Sequence, residues 1–310
     1  MSGNSVRHLI SWKDWTDEEI KQVLELAKTV KQNPKDFQQH LSLKTLVMIF
    51  QKTSTRTRVS FESGMTRMGG HAIFLNWLTS NFGLTEIWYE AAYLSRNSDI
   101  MMARLKLHED LLEVVKGATV PVINALCNLY HPCQAMADML TILMDRGSME
   151  GAKLTFVGVH NNVVNSLMAT CSALGVHLTL VCPIADEKSI DQEIKEKIVK
   201  KGLLSETLAL KEAVQSADYA YTDTWVDMEF FNNPEFEDIK QERLNIMLPY
   251  QLNLEAVGDS DTKIMHDMPI HPGYEMSDDL VAHKNSIIFD QAENRLPAQQ
   301  AIMLTLLGLA

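Results

Sequence analysis

Residues 46–70 read LVMIFQKTSTRTRVSFESGMTRMGG. The apolar run Leu46 to Phe50 predicts a buried strand, and Phe61, Met65 and Met68 share one face of a following helix. Between them, Ser54, Thr55, Arg56 and Thr57 stand at the helix start. The first N–H groups of a helix have no partner within it and attract an anion. The hydroxyls of Ser54, Thr55 and Thr57 can donate further hydrogen bonds, and Arg56 can grip two oxygens at once. An N-cap with solvated arginines is the plainer reading of such a cluster. Its place directly after a buried strand favours a phosphate site made without glycines.

Outward from this segment, β-rich apolar runs alternate with helical stretches. Leu46 to Phe50, Ala72 to Leu75, Asp99 to Ala103 and Val120 to Ile123 read as strands of one parallel sheet. A second series runs through Leu154 to Gly158, His177 to Cys182, Tyr219 to Thr222 and Lys263 to His266, closing with Ile287 to Asp290. The expected fold class is therefore α/β, with two doubly wound parallel-sheet domains. The turn-forming residues Arg146-Gly147-Ser148 place the boundary so that residues 1–147 and 148–310 form the two domains. An opening helix is predicted from about Asp17 to Lys31, with Ile20, Val23, Leu24 and Ala27 on its apolar face. A last, buried helix is expected from about Pro297, packed back against the first domain.

A chain of 310 residues exceeds the size at which one hydrophobic core stops growing, which agrees with two domains. The net charge of −12 disfavours nucleic acid and anionic lipid as partners. No apolar run approaches the ~20 residues that span a bilayer, and the first residues lack the apolar core of a secretory signal, so a cytoplasmic location is expected. Cys127, Cys133, Cys171 and Cys182 have no Cys-x-x-Cys spacing and sit in mainly apolar stretches, as reduced core residues do.

Further polar residues follow the predicted strands, where ligands of open α/β sheets collect. Arg104 follows the strand Asp99 to Ala103, and His131 and Gln134 stand just before a helix, where an imidazole and an amide can polarise a carbonyl. Asn161 and Asn162 lie between a strand and a helix, and Asp223 directly follows another strand. A dinucleotide site is disfavoured: G-x-G-x-x-G is absent, and the next strand ends at Val181-Cys182-Pro183 without an acid.

Taken together, FxKTSTRTRxSFE resembles the carbamoyl phosphate segment of the aspartate and ornithine carbamoyltransferases, and the later segments resemble that family's HPCQ, GxxNNxxNSL, DxW and closing FDQAENR elements in order. The resemblance runs from about Leu43 to the end and lies nearest the ornithine enzymes. It implies that Ser54, Thr55, Arg56, Thr57, Asn81, Arg104, His131, Gln134 and Arg295 bind carbamoyl phosphate, with Arg58 structural or at an interface. It also implies acceptor binding by Asn161, Asn162, Asp223, Asp227, Met228, Asp267 and Met268, and catalysis by Arg56, Arg104, His131, Asp223 and Asp267. No metal or organic cofactor is required. The family's loop at Asn76 to Gly83 reaches a neighbouring subunit, which implies a homotrimer with shared sites.

Several positions depart from the family pattern. Asn81 stands where a glutamine is usual, Trp77 is extra, Asp227-Met228 replaces Ser-Met, and Asp267-Met268 replaces Cys-Leu. These departures leave open ornithine, another amine acceptor such as a diamine or a modified amino acid, and a catalytically silent regulatory relative.

Overall fold

The computed structural model describes residues 6–185, 187–226 and 234–310. Its strands are β1 Thr45–Phe50, β2 His71–Asn76, β3 Ile100–Arg104, β4 Val122–Leu126, β5 Lys153–His160, β6 His177–Ala185, β7 Leu204–Glu206, β8 Tyr219–Thr222 and β9 Lys263–His266. The first six helices are α1 Asp17–Gln32, α2 Thr55–Arg67, α3 Ile87–Leu94, α4 His108–Gly117, α5 Pro132–Arg146 and α6 Asn162–Leu174. Then come α7 Gln192–Lys200, α8 Leu210–Gln215, α9 Glu237–Met247, α10 Leu254–Val257, α11 Asp278–Val281 and α12 Ile288–Leu307.

Two wholly parallel sheets result, ordered β2-β1-β3-β4 and β7-β6-β5-β8-β9. The expected pair of doubly wound α/β domains is present. In each sheet the strand order reverses once, beside β1 and β3 in the first and beside β5 and β8 in the second. Crevices open at such reversals beyond the strands' C-terminal ends. Leu46 to Phe50 are all buried, as suits a central parallel strand covered on both faces. Helix α1 starts in a capping box between Thr16 and Glu19 and buries Ile20, Val23, Leu24, Ala27 and Val30. Gly147, with φ 81°, ends α5 in the left-handed conformation open to glycine.

Two expectations at the C-terminus need correction. Ile287 to Asp290 is no strand: after Ser286 bridges Ile264 and the Ile287 N–H bonds the Ile264 carbonyl, the chain turns into α12. The spacing of buried Ile288, Gln291, Asn294, Arg295 and Ala298 is helical, so the three apolar residues Ile287, Ile288 and Phe289 mimic a strand only locally. Pro297 therefore lies inside α12 rather than at its start, removing one intrahelical donor. The helix does pack on α1, α2 and α5 of the first domain. The short edge strand β7 had no counterpart among the expected strands. Among the described residues, no helix is long and apolar enough to cross a membrane.

Candidate active site

Both crevices open into one cavity of about 360 Å³. Its first wall follows β1, where Ser54 caps α2 by accepting from the Thr57 N–H at 3.2 Å. That bond uses the acceptor side of the Ser54 hydroxyl and leaves its proton for a ligand. Ser54, Arg56 and Thr57 line the cavity together with Lys52. Thr55 is exposed and lies off the cavity wall, so the structure does not bring its side chain to the site. Arg58 also points elsewhere, stacking 3.8 Å from the centre of the Phe74 ring and bonding Glu62.

Arg104 ends β3 where the pairing with β4 slips by one residue, an irregularity that re-aims a side chain. It lines the cavity, as does His131, which sits at the start of α5 ahead of Pro132. The His131 backbone N–H is anchored by the Ser166 hydroxyl at 2.8 Å, while Nδ1 has no hydrogen-bond partner among the described residues. Burial, followed by the charges of Arg295, Arg104 and Arg56, holds this imidazole well below its ordinary range. It is therefore neutral. A neutral imidazole among three guanidinium groups can hold a carbonyl without adding charge.

Arg295, 3% exposed, reaches the same wall from α12 and donates to Thr57 Oγ1 at 3.1 Å and to Gln134 Oε1 at 2.5 Å. Gln134 itself is buried behind the wall, its amide engaged by Arg295 on one side and Asp138 on the other. Cys133 packs beneath, its thiol raised to about 12 by burial, which removes it as a nucleophile near neutrality.

The opposite wall belongs to the second sheet. Asn161 caps α6 with its carbonyl oxygen and donates from Nδ2 to Asp223 at 2.7 Å. Asn162 donates to the Cys127 carbonyl at 2.7 Å, tying the two walls together. Asp223, after β8, also accepts from the Thr224 N–H at 2.6 Å. Asp267 and Met268 follow β9, and both line the cavity. Burial, then the charge of Asp223 and a hydrogen bond with it, push the Asp267 carboxyl well above the ordinary range against the opposing pull of Arg56. The neutral acid form of Asp267 is thereby favoured over the carboxylate. Burial likewise lowers the Arg56 pKa, opposed by Asp267 and Asp223.

Met268 is held at φ 64°, unusual for a side chain of its size, while its N–H donates to His266 Nδ1 at 2.8 Å. On the other side of that ring, Nε2 meets Glu275 Oε1 at 3.2 Å. The acceptor wall is thus braced by a buried His-Glu pair. Asp227 and Met228 lie outside the described residues. Asn81 is exposed and does not reach this chain's own cavity, and Trp77 stacks on Phe82 at 4.6 Å.

The cavity also includes residues that sequence reasoning missed. Lys52 could have been found, since it sits one turn residue ahead of the hydroxyl cluster. Arg243 could not: it lies on α9 within the highly charged EDIKQERLN, and only the fold brings it to the cavity edge, donating to the Trp225 carbonyl at 3.1 Å.

The family model for the aspartate/ornithine carbamoyltransferase carbamoyl-P binding domain matches residues 7–144, and that for the Asp/Orn binding domain matches residues 150–306. The chain belongs to the aspartate/ornithine carbamoyltransferase family. A carbamoyltransferase of Halalkalibacterium halodurans named for ornithine is 40% identical over 311 aligned residues, spanning 97% of this chain and 95% of its own. The ornithine carbamoyltransferase of Pyrococcus horikoshii is 41% identical over 97% of this chain and 96% of its own. Among solved carbamoyltransferase structures, that of Pyrococcus furiosus superposes with a TM-score of 0.89 at 40% identity, covering 99% of each chain. The fold, the order of the site elements and this family membership make the protein a carbamoyltransferase.

Proposed function

We propose that the protein transfers the carbamoyl group of carbamoyl phosphate to the side-chain amine of ornithine, giving citrulline and phosphate. The observation that carries this reading is one cavity with a cationic wall of Arg56, Arg104 and Arg295 facing the amide and carboxyl wall of Asn161, Asn162, Asp223 and Asp267. The first wall suits a small dianion, and the second suits an amine with a polar tail. Residues 1–147 would hold the donor and residues 148–310 the acceptor.

The donor's phosphate enters at the N-terminus of α2, where Ser54, Arg56, Thr57 and the backbone of Thr55 receive it. Arg104 and the neutral His131 take the carbonyl oxygen, and Gln134 acts through Arg295 and the floor of the site. The amine nitrogen attacks the carbonyl carbon, forming the N–C bond. The C–O bond to phosphate then breaks, and the proton lost by nitrogen leaves with the phosphate. The guanidinium groups stabilise the oxyanion and the departing dianion. Asp223 and Asp267 orient the amine, Asn162 and Asn161 bind the far end of the acceptor, and Asp227, Met228 and Met268 complete that end.

A second reading rests on Asp267. A carboxyl in place of the thiol usual in ornithine enzymes doubles the acidic groups at the amine, which suits a diamine or a modified amino acid. Phosphate release measured with ornithine, putrescine, lysine, aspartate and acylated ornithines separates the two. Ornithine should give the highest kcat/KM. Turnover of putrescine or an acylated ornithine with none on ornithine would transfer the assignment to that acceptor. The protein is further read as a cytoplasmic homotrimer serving arginine biosynthesis, with the loop around Asn81 completing a neighbour's site.

A further inference from the structure

Beneath the cavity lies an acidic side chain with no part in the chemistry above. Asp138, on α5, is fully buried at 0% exposure, and its Oδ1 accepts two amide N–H groups at once. One comes from Gln134 Nε2 at 2.7 Å, one turn earlier on α5, and the other from Gln291 Nε2 at 2.7 Å, on α12. Both amides then show their carbonyl oxygens away from Asp138. Gln134 Oε1 accepts from Arg295 Nη1 at 2.5 Å, and Gln291 Oε1 accepts from the His266 backbone N–H at 2.8 Å. Arg295 continues to Thr57 at the donor wall, while His266 immediately precedes Asp267 at the acceptor wall.

The pattern follows from two helical pairs, Gln134 with Asp138 and Gln291 with Arg295, each spaced i to i+4 on helices that pack together. An amide can sit either way round with nearly the same shape, whereas Asp138 Oδ1 accepts both as a carboxylate oxygen and as the C=O of the protonated acid. The carboxyl oxygen of Asp138 therefore dictates which end of each amide faces outward. Reversing Gln134 would set an NH₂ against the Arg295 guanidinium, and reversing Gln291 would set one against the His266 N–H.

We propose that Asp138 is a positioning residue that fixes the direction of Gln134 and Gln291, and through them aligns Arg295 at the donor wall with the His266-Asp267 loop at the acceptor wall. Five consecutive hydrogen bonds, from Thr57 through Arg295, Gln134, Asp138 and Gln291 to His266, run unbroken between the two half-sites. The inference deepens the carbamoyl-transfer reading and rests on it for the acceptor arm. The donor arm is read from carbamoyl phosphate binding alone.

The test uses the full chain with three substitutions. Asp138→Asn keeps an oxygen that can accept from both amides, Asp138→Leu removes it, and Gln291→Leu cuts the acceptor arm only. Carbamoyl phosphate affinity is measured by calorimetry without acceptor, and kcat and the acceptor KM by phosphate release. Asp138→Leu should weaken carbamoyl phosphate binding about tenfold and lower kcat by more than that, with Asp138→Asn restoring most of the affinity. Gln291→Leu should raise the acceptor KM about fivefold while leaving carbamoyl phosphate affinity within about twofold. Asp138→Leu with wild-type affinity and KM, or Gln291→Leu with an unchanged acceptor KM, overturns the proposal. If Asp138→Leu does not fold, Gln291→Leu decides alone. A wild-type protein that binds carbamoyl phosphate but ignores ornithine would instead refute the acceptor assignment.

Discussion

Arg56 is the side chain on which the donor wall turns, because it lies between the helix start that would receive a phosphate and the Asp223-Asp267 pair that would receive an amine. Arg56→Ala should lower kcat/KM by about 10²–10³-fold or more, a loss typical of removing one preorganised donor to developing negative charge. Steady-state phosphate release checks it, and near-normal turnover would remove Arg56 from the chemistry. Asp138 allows a prediction of opposite sign for stability. Burial raises its pKa to about 7, against hydrogen bonds from Gln291 and Gln134 and the charge of Arg295, with Tyr221, Cys171 and Asp267 also facing it. The folded chain then holds this proton more tightly than the unfolded one, so Asp138 makes stability fall as pH rises from about 4 to 7. Asp138→Asn removes that slope. Its urea midpoint at pH 8 should equal or exceed that of the wild type even where its kinetics are impaired, and a large loss of midpoint at pH 8 would contradict the assignment.

At the scale of elements, the β9 loop is the best braced part of the acceptor wall. Burial would raise the Glu275 pKa, but hydrogen bonds from His266 and His271 outweigh it and hold the carboxylate at about 2, below the ordinary 4.5. A depressed carboxylate pKa contributes stability that is complete above 4.5 and is lost as pH falls towards about 2. Glu275→Gln should therefore unfold at lower urea than wild type at pH 7, by roughly 1–3 kcal/mol, and the gap should close as the pH approaches 2. An equal gap at both ends of that range would show that the Glu275 charge contributes nothing. Loops of this kind were only partly legible beforehand. His266 and Asp267 could be placed at the strand end from the apolar run before them, yet the bond from Met268 N–H to His266 Nδ1 depends on a backbone turn with φ 64° that no periodicity announces. Ile287 to Asp290 shows the converse failure. Its apolar run of three satisfies a strand pattern over four residues, and only the longer helical spacing through Ala298 reveals α12.

Across the whole molecule, the parallel sheets were readable because buried strands of Leu, Val, Ile and Met alternate with amphipathic helices, and strand ends then locate the ligands without further information. Arg243 and the Asp138 relay were not readable, since they exist only once α9 folds over the cavity and α12 returns to α5. A third group, around Asn81, has no function visible within one chain. Asn81 is exposed, and nearby Leu78, Leu84 and Tyr93 are 88%, 83% and 65% exposed, more apolar surface than a lone subunit gains from displaying. A site completed by a neighbour accounts for both facts, and mixing two damaged proteins tests it. An Arg56→Ala subunit keeps an intact loop beside a ruined cavity, whereas a subunit carrying Ser80→Ala and Asn81→Ala keeps an intact cavity beside a ruined loop. Refolded together, they should recover activity that neither has alone, because a sound cavity then meets a sound loop across the subunit contact, and sedimentation should show three chains. If the loop variant is fully active by itself, or the mixture gives only the sum of its parts, each cavity is complete within its own chain and the exposed loop serves some other contact.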